Sequence, residues 1–211
     1  MTLLFLVRHG ETDWNRQRRI QGRTDIPLNE TGREQARMTG RRLASRSWDG
    51  LLASPLSRAR ETAAIIAEEI GLGDPDAVPA LVERDYGEAE GMDWLEIERR
   101  FPAGTVVPGR ETRADVANRV VPALMEIAAS RPGAALIVVS HGGAIRAVLD
   151  RVDPATEYGP ITNGSVHSFE LARGELRLVA FDDPLGSSLD EQNAIEARED
   201  EQHDARHEGG R

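Results

Sequence analysis

TLLFLVRHGETDWN, residues 2–15, runs through five consecutive apolar side chains and then breaks into an arginine, a histidine and a glycine. A strand with one face in water alternates apolar and polar residues, whereas a run without alternation suits a central strand covered on both faces. AALIVVSHGG, residues 134–143, repeats the pattern: an apolar run, then a histidine followed by glycine. GLLA, residues 50–53, is a shorter candidate strand, and a weaker one over 78–82 runs into Glu83.

Helical signals lie between these runs. Asn29 or Thr31 can cap a helix reaching about Arg46, and Ser54-Pro55 opens another whose Ala59, Ala63, Ile66 and Ile70 share one face. A third fits residues 112–130. SVHSFEL and ELRLVAF flank Ala172-Arg173-Gly174 and read as a hairpin. The alternation predicts an α/β three-layer sandwich, a mostly parallel central sheet flanked by helices.

At 211 residues and 39% hydrophobic content, the chain is large enough for one domain with its own core. The absence of cysteine removes disulfides, thiolate zinc sites and thiol nucleophiles, and fits a reducing cytoplasm. The N-terminal apolar run is too short for a signal peptide or a membrane span, so a soluble, cytoplasmic protein is expected. The formal charge of −10 is concentrated at one end: residues 182–211 hold ten acidic residues against three arginines, a local −7 that leaves −3 for residues 1–181. With little apolar surface to bury, residues 182–211 are expected to form a disordered acidic tail, with a short helix over 189–198 left open, and residues 1–181 the folded domain. All 26 basic residues are arginine, a planar permanent charge suited to phosphate and carboxylate.

In open α/β sheets, ligands bind where the chain leaves the carboxyl ends of the strands. Arg8-His9-Gly10, Ser54-Pro55 with Arg58 beyond, Glu83, and His141-Gly142-Gly143 all fall at such ends. Glycine there lets a ligand approach the backbone, whose free N–H groups suit an anion. Taken singly, each has a plainer reading: a hydrogen-bonded structural histidine, a solvated arginine, one carboxylate among Glu83, Glu88 and Glu90. The 132 positions between the histidines match no metal motif. Their joint appearance at one sheet edge is what favours a site.

Arg8-His9-Gly10-Glu11-Thr12 with Asn15, then Gln21-Gly22, SPLSRARETA (residues 54–63), the LVER segment with Glu83 followed by YGEAEG, and SHGG (residues 140–143) together resemble the histidine phosphatase superfamily, also called phosphoglycerate mutase-like. The resemblance runs in order from residue 3 to about 169. It implies a metal-independent, cofactor-free phosphomonoester hydrolase acting through a phosphohistidine. In this scheme His9 is the nucleophile, Arg8 and Arg58 clamp the phosphate, His141 donates to a phosphoryl oxygen, and Glu83 protonates the leaving alkoxide and later activates water. Asn15, Gln21, Gly22 and Gly142 are further phosphate contacts carried over from the motif. Nearby arginines should keep the His9 imidazole neutral.

The chain departs from the family pattern at Ala89, where a tryptophan is common, and at Gly109-Arg110-Glu111-Thr112, where a G-G-E-S segment is common. Both changes fall in the region covering the site and bear on the leaving group. Arg110 and the cluster Arg16, Arg18, Arg19 and Arg23 could meet an anionic substrate; solvent-facing charge is the reading favoured for them. Glu83 and His141 are 58 positions apart, too few for the longer covering insertion of mutases, so hydrolysis of a small phosphorylated metabolite is expected. A cofactor-dependent phosphoglycerate mutase and a non-catalytic phosphate-binding protein are the alternatives. No nucleic-acid partner is expected from 4% aromatic content and a slightly acidic body, nor a membrane partner, and a homodimer is left open.

Overall fold

The computed structural model describes residues 1–184. The proposed acidic tail, with its optional helix, lies outside them apart from residues 182–184. Six strands form one sheet: β1 (Thr2–Arg8), β2 (Gly50–Ala53), β3 (Asp76–Ala77), β4 (Ala135–Ser140), β5 (Val166–Ala172) and β6 (Glu175–Ala180), in the order β3-β2-β4-β1-β5-β6. The first four in that order are parallel; β5 pairs antiparallel with β1 and β6 with β5. The mostly parallel α/β sandwich expected from the sequence is the observed architecture.

The uninterrupted apolar runs are explained by the two faces. Leu4 and Leu6 of β1, with Leu136 and Val138 of β4, bury against α5 (Arg113–Ser130) through Val116, Val120 and Leu124, and against α6 (Gly142–Val152) through Ile145 and Val148. Phe5 and Val7, with Ile137 and Val139, face the opposite way onto Leu43 of α2 (Glu30–Leu43) and Ala59, Ala63 and Ile66 of α3 (Ser57–Ile70). Successive residues of one strand thus enter different cores, so no position is free to be polar.

Helix starts follow the capping signals. The Asn29 side chain accepts from the Gly32 N–H at the start of α2, and Thr112 with Asp115 forms a capping box for α5. The hairpin turns on Arg173 and Gly174, both at positive φ (53° and 81°), which matches the twist of the flanking strands. Two short helices, α1 (Asp13–Arg16) and α4 (Trp94–Arg100), lie in the loops over the carboxyl edge.

The candidate strand over 78–82 is not a strand. The third strand is only Asp76–Ala77, both exposed, and Pro79–Leu81 forms a 3₁₀ turn. Proline lacks the N–H that a ladder needs, and the turn instead buries Leu81 in the core shared by α5 and α6. Glu83 therefore reaches the site from a loop. No helix among the described residues is long and apolar enough to cross a membrane.

Candidate active site

Strand register brings the histidines together. Arg8 is aligned with Ser140 across β1 and β4, and Ala53 with Val139 across β2 and β4. The next residues, His9, His141 and Ser54, therefore leave three adjacent parallel strands at the same edge. The ladder extends one step further: His9 N–H donates to the Ser140 carbonyl (3.0 Å) and Ser54 N–H to that of Val139 (2.9 Å). The two imidazole centroids are 5.1 Å apart at 61°, and both rings are buried.

The His9 tautomer follows from its partners. Nδ1 lies 2.7 Å from the Gly10 carbonyl, which can only accept, so Nδ1 carries the hydrogen and Nε2 keeps its lone pair. Arg58 Nε–H donates to that lone pair at 3.2 Å. Burial, then the charges of Arg58 and Arg8, hold the His9 pKa well below the usual histidine range, against a weaker opposing pull from the Gly10 bond. At neutral pH the ring is uncharged.

His141 is set in a complementary way. Its Nε2 lies 2.7 Å from Ser54 Oγ. The Ser54 hydroxyl has no other acceptor among the described residues, so it donates to Nε2 and leaves the hydrogen on Nδ1. Burial, followed by Arg58, His9 and Arg8, also pushes the His141 pKa well below its ordinary value.

Only three buried side-chain polar atoms among the described residues lack a partner: Arg8 Nε, His141 Nδ1 and Ser168 Oγ. Two of them are donors on residues adjoining His9: Arg8 precedes it in β1, and the His141 ring centroid is 5.1 Å from its own. Buried donors are rarely left unpaired, because losing their water is costly. Both of these donors lie at the start of α6: His141 is its cap, and Arg8 Nε lies 3.3 Å from the point a Cβ on Gly142 would occupy.

The arginines are locked from behind. Arg8 Nη1 donates to the Ile161 carbonyl at 2.6 Å, and Arg58 Nη1 and Nη2 donate to those of Thr24 (2.9 Å) and Gly22 (2.7 Å). Arg58, fully buried, has its pKa lowered chiefly by desolvation, with Glu83, Asp25 and Glu90 opposing. Glu83 is buried with its carboxylate fixed by two backbone donors, Arg84 N–H to Oε1 (2.7 Å) and Gly143 N–H to Oε2 (2.9 Å). A Cβ at position 143 would lie 2.5 Å from Glu83 Oε1, so glycine is what admits the carboxylate to the start of α6.

Asn15 and Gln21 stand at the rim. Each amide oxygen accepts from Thr12, whose N–H reaches Asn15 Oδ1 (3.1 Å) and whose hydroxyl reaches Gln21 Oε1 (2.9 Å). The NH₂ group of each has no partner among the described residues. Gly142 lies at the first turn of α6, where backbone N–H groups have no helical partner. Asn15, Gln21, Gly22 and Gly142 line one cavity of about 400 Å³ with Arg8, His9, Arg58 and Glu83; His141 does not line it. Among the described residues no cluster of three or more His, Cys, Asp or Glu is arranged to hold a metal ion.

The sequence reading gives the other residues at the site no assigned role, and names Glu90 only as a rival to Glu83 and Arg110 as solvent-facing charge. Asn163 Nδ2 donates to the His9 carbonyl at 2.9 Å from a loop 154 positions away. Glu90 accepts from the N–H groups of Arg23 (2.8 Å), Thr24 (2.9 Å) and Tyr86 (3.2 Å), fixing the loop whose carbonyls hold Arg58. Arg84, Tyr86, Arg113 and Arg146 line the outer cavity along with Arg110. Of the cluster at 16–23, only Arg19 lines it; Arg16 pairs with Asp13, and Arg23 with Asp85 and Glu111, as solvent-side charge would.

An uncharged buried imidazole whose Nε2 carries no hydrogen, with two arginines and a carboxylate near it at a parallel-sheet edge, has the chemistry to receive an anion. Residues 4–184 match the family described as "Histidine phosphatase superfamily (branch 1)", and the chain belongs to that superfamily. It is 40% identical over 181 residues to the "Uncharacterized phosphatase PhoE" of Bacillus subtilis (strain 168), covering 84% of this chain and 93% of that one. A 2,3-bisphosphoglycerate-dependent phosphoglycerate mutase of Methylorubrum extorquens (strain PA1) is 32% identical over 188 residues, covering 82% and 86%. The solved structure of a mycobacterial glucosyl-3-phosphoglycerate phosphatase superposes with a TM-score of 0.77 at 29% identity, covering 85% and 98%. The family and the relatives described as phosphatases support a phosphatase enzyme.

Proposed function

We propose that this chain hydrolyses small phosphomonoesters through a phosphohistidine on His9, with no metal ion. The observation that carries the reading is an unprotonated His9 Nε2, held only by Arg58, on a residue adjoining two with orphaned buried donors, Arg8 Nε and His141 Nδ1.

The entering phosphate takes hydrogen bonds from Arg8, Arg58 and His141, with Asn15, Gln21 and Gly142 as outer contacts. As Arg58 turns its donors to the phosphate, it gives up Nε2 of His9, and the lone pair is released for in-line attack on phosphorus. The N–P bond forms as the P–O bond to the leaving group breaks, and Glu83 passes to the departing oxygen a proton that it takes up from the monoanionic phosphate on binding. In the second half, Glu83 takes a proton from water, the water oxygen attacks phosphorus, and the N–P bond breaks to return His9 and release phosphate. The Gly10 carbonyl stabilises the Nδ1–H hydrogen as Nε2 becomes bonded to phosphorus.

Hydrolysis is favoured over phosphoryl return to a sugar or glycerate because the segment between Glu83 and α5 holds only a short 3₁₀ turn, Gly87–Ala89, and the seven residues of α4. Arg110 and Arg113 at the cavity mouth are exposed, leaving water a route to the phosphoenzyme. The test is phosphate release from a panel of phosphomonoesters, with chelator present, by the parent and His9→Ala. The account expects parent turnover to survive the chelator and His9→Ala to lose at least a thousandfold. Undiminished His9→Ala turnover refutes the nucleophile, loss on chelation refutes metal independence, and mutase flux exceeding phosphate release refutes the hydrolase assignment.

A further inference from the structure

We propose that Gln35 of α2 is a positioning residue for the nucleophile, acting through the Gly10–Glu11 peptide to keep the hydrogen of His9 on Nδ1 and its lone pair on Nε2. The inference rests on His9 as the nucleophile, and it adds to the machinery a residue that does not line the cavity.

A peptide group is planar, so its carbonyl and the next N–H turn together. The Gly10 carbonyl that meets His9 Nδ1 at 2.7 Å shares its plane with the Glu11 N–H, which donates to Gln35 Oε1 at 2.8 Å. A backbone N–H can bond only to the oxygen of an amide side chain, so the same contact fixes which way the Gln35 amide points. Imidazole, peptide and glutamine form one line of hydrogen bonds running in one direction, from Nδ1–H to the carbonyl and from the N–H to Oε1. Each bond in such a line polarises the next, which makes the Gly10 oxygen a better acceptor for Nδ1–H.

Two glycines bring α2 close enough for this contact. A Cβ on Gly10 would overlap the Gly32 carbonyl oxygen, and a Cβ on Gly32 would overlap that of Glu11, so the first turn of α2 lies directly on the chain leaving β1. Asn29, the cap of α2, donates its N–H to the Glu11 carbonyl at 3.0 Å and its Nδ2 to Glu11 Oε1 at 2.8 Å. Gln35 follows Gly32 by three positions and so shares its face of the helix. The Gln35 stem is backed by the 161–165 loop: its Cβ lies 3.6 Å from the point a Cβ on Gly164 would occupy, and Gly164 N–H donates to the Arg8 carbonyl at 3.0 Å.

The preceding peptide is also held at both ends. Its carbonyl, on His9, accepts from Asn163 Nδ2 at 2.9 Å, and its N–H, on Gly10, donates to Thr62 Oγ at 3.1 Å. Of the three side chains, Gln35 is the one bonded to the peptide whose carbonyl sets the tautomer. Without Oε1 the Glu11 N–H turns to find another partner, and the Gly10 carbonyl swings away from Nδ1 with it. His9 then populates both tautomers, and the form with its hydrogen on Nε2 has no lone pair there to offer phosphorus.

The experiment compares Gln35→Leu, which cannot accept the N–H, with Gln35→Glu, which can. It reads kcat, the inhibition constant of inorganic phosphate, and the ¹⁵N shifts of His9, assigned by their loss in His9→Ala. Gln35→Leu is expected to lose about tenfold in kcat with phosphate inhibition little changed, and its two His9 nitrogens to move towards a common averaged shift. Gln35→Glu should recover most of the lost kcat and the single Nδ1–H tautomer. Gln35→Met, whose thioether accepts only weakly, carries the same test if Gln35→Leu does not fold. A folded Gln35→Leu with kcat within about twofold of the parent, a tenfold loss with the tautomer unchanged, or an equal loss in Gln35→Glu overturns the proposal. A parent that turns over no phosphomonoester while Gln35→Leu still mixes the tautomers overturns the phosphatase reading and leaves the hold of Gln35 on the tautomer standing.

Discussion

Glu90→Gln tests how far the site depends on residues that never touch phosphate. The Glu90 carboxylate accepts from the N–H groups of Arg23, Thr24 and Tyr86, and from the Thr24 hydroxyl at 2.5 Å. An amide offers only one oxygen. If its NH₂ turns towards Thr24, one backbone N–H loses its acceptor; if it turns the other way, two do. Bonds to a charged acceptor contribute about 1.5–3 kcal/mol each, and water reaches this half-exposed loop, so a net loss of about 2 kcal/mol is expected. For a domain of this size that corresponds to a fall of roughly 4–8 °C in melting temperature. The loop carries the Gly22 and Thr24 carbonyls that aim Arg58 at His9. The expected kinetic result is a kcat at least tenfold lower, with a weaker inhibition constant for inorganic phosphate. A kcat and an inhibition constant both within twofold of the parent would refute the claim that Glu90 positions Arg58.

Gly143→Ala places a Cβ 2.5 Å from Glu83 Oε1; it should lower kcat a hundredfold or more by displacing the carboxylate, while competitive inhibition by inorganic phosphate changes little. Ser54→Ala frees the His141 tautomer and should cost about tenfold in kcat with a stability loss near 1 kcal/mol, read from denaturant unfolding. Stability should also fall with acid. His167, buried with Nδ1 accepting from the Asp182 N–H, has its pKa lowered to about 4, chiefly by desolvation, from an unfolded value near 6.5. The unfolded chain therefore binds the proton first, so this contribution is complete above pH 6.5 and lost as pH falls towards 4. Between pH 7 and pH 5 that amounts to about 2 kcal/mol, and His167→Gln should flatten the pH dependence of the urea midpoint.

What could be read from the sequence was whatever a single segment carries. The runs at 2–7 and 134–139 are apolar throughout because both faces are buried, and that alone announces a central parallel sheet. Each histidine follows such a run, so their common edge was legible, although the pairing of Arg8 with Ser140 that sets their 5.1 Å spacing was not. Helix α6 escaped notice because its first turn is Gly142-Gly143 and its cap, His141, makes no side-chain capping bond. The glycines signal ligand approach more strongly than helix, although Ala144, Ile145, Val148 and Leu149 carry a helical period. The third strand lies earlier in the chain than the 78–82 segment suggests, since two exposed residues, Asp76 and Ala77, leave no pattern at all. Arg84, Tyr86, Asn163 and Glu90 sit on loops and act through partners far away in sequence. Only the folded arrangement distinguishes them from ordinary surface charge, and Arg110, read as solvent-facing, is both exposed and at the cavity mouth.

The central claim is that His9 becomes covalently phosphorylated. Rapid quenching of the enzyme during turnover of a ³²P-labelled phosphomonoester reads it directly. The account predicts a transient label, stable to alkali and labile to acid as a phosphoramidate is, formed at least as fast as phosphate release and absent from His9→Ala. Turnover with no protein-bound label on the fastest accessible timescale, or a label that persists in His9→Ala, would contradict it.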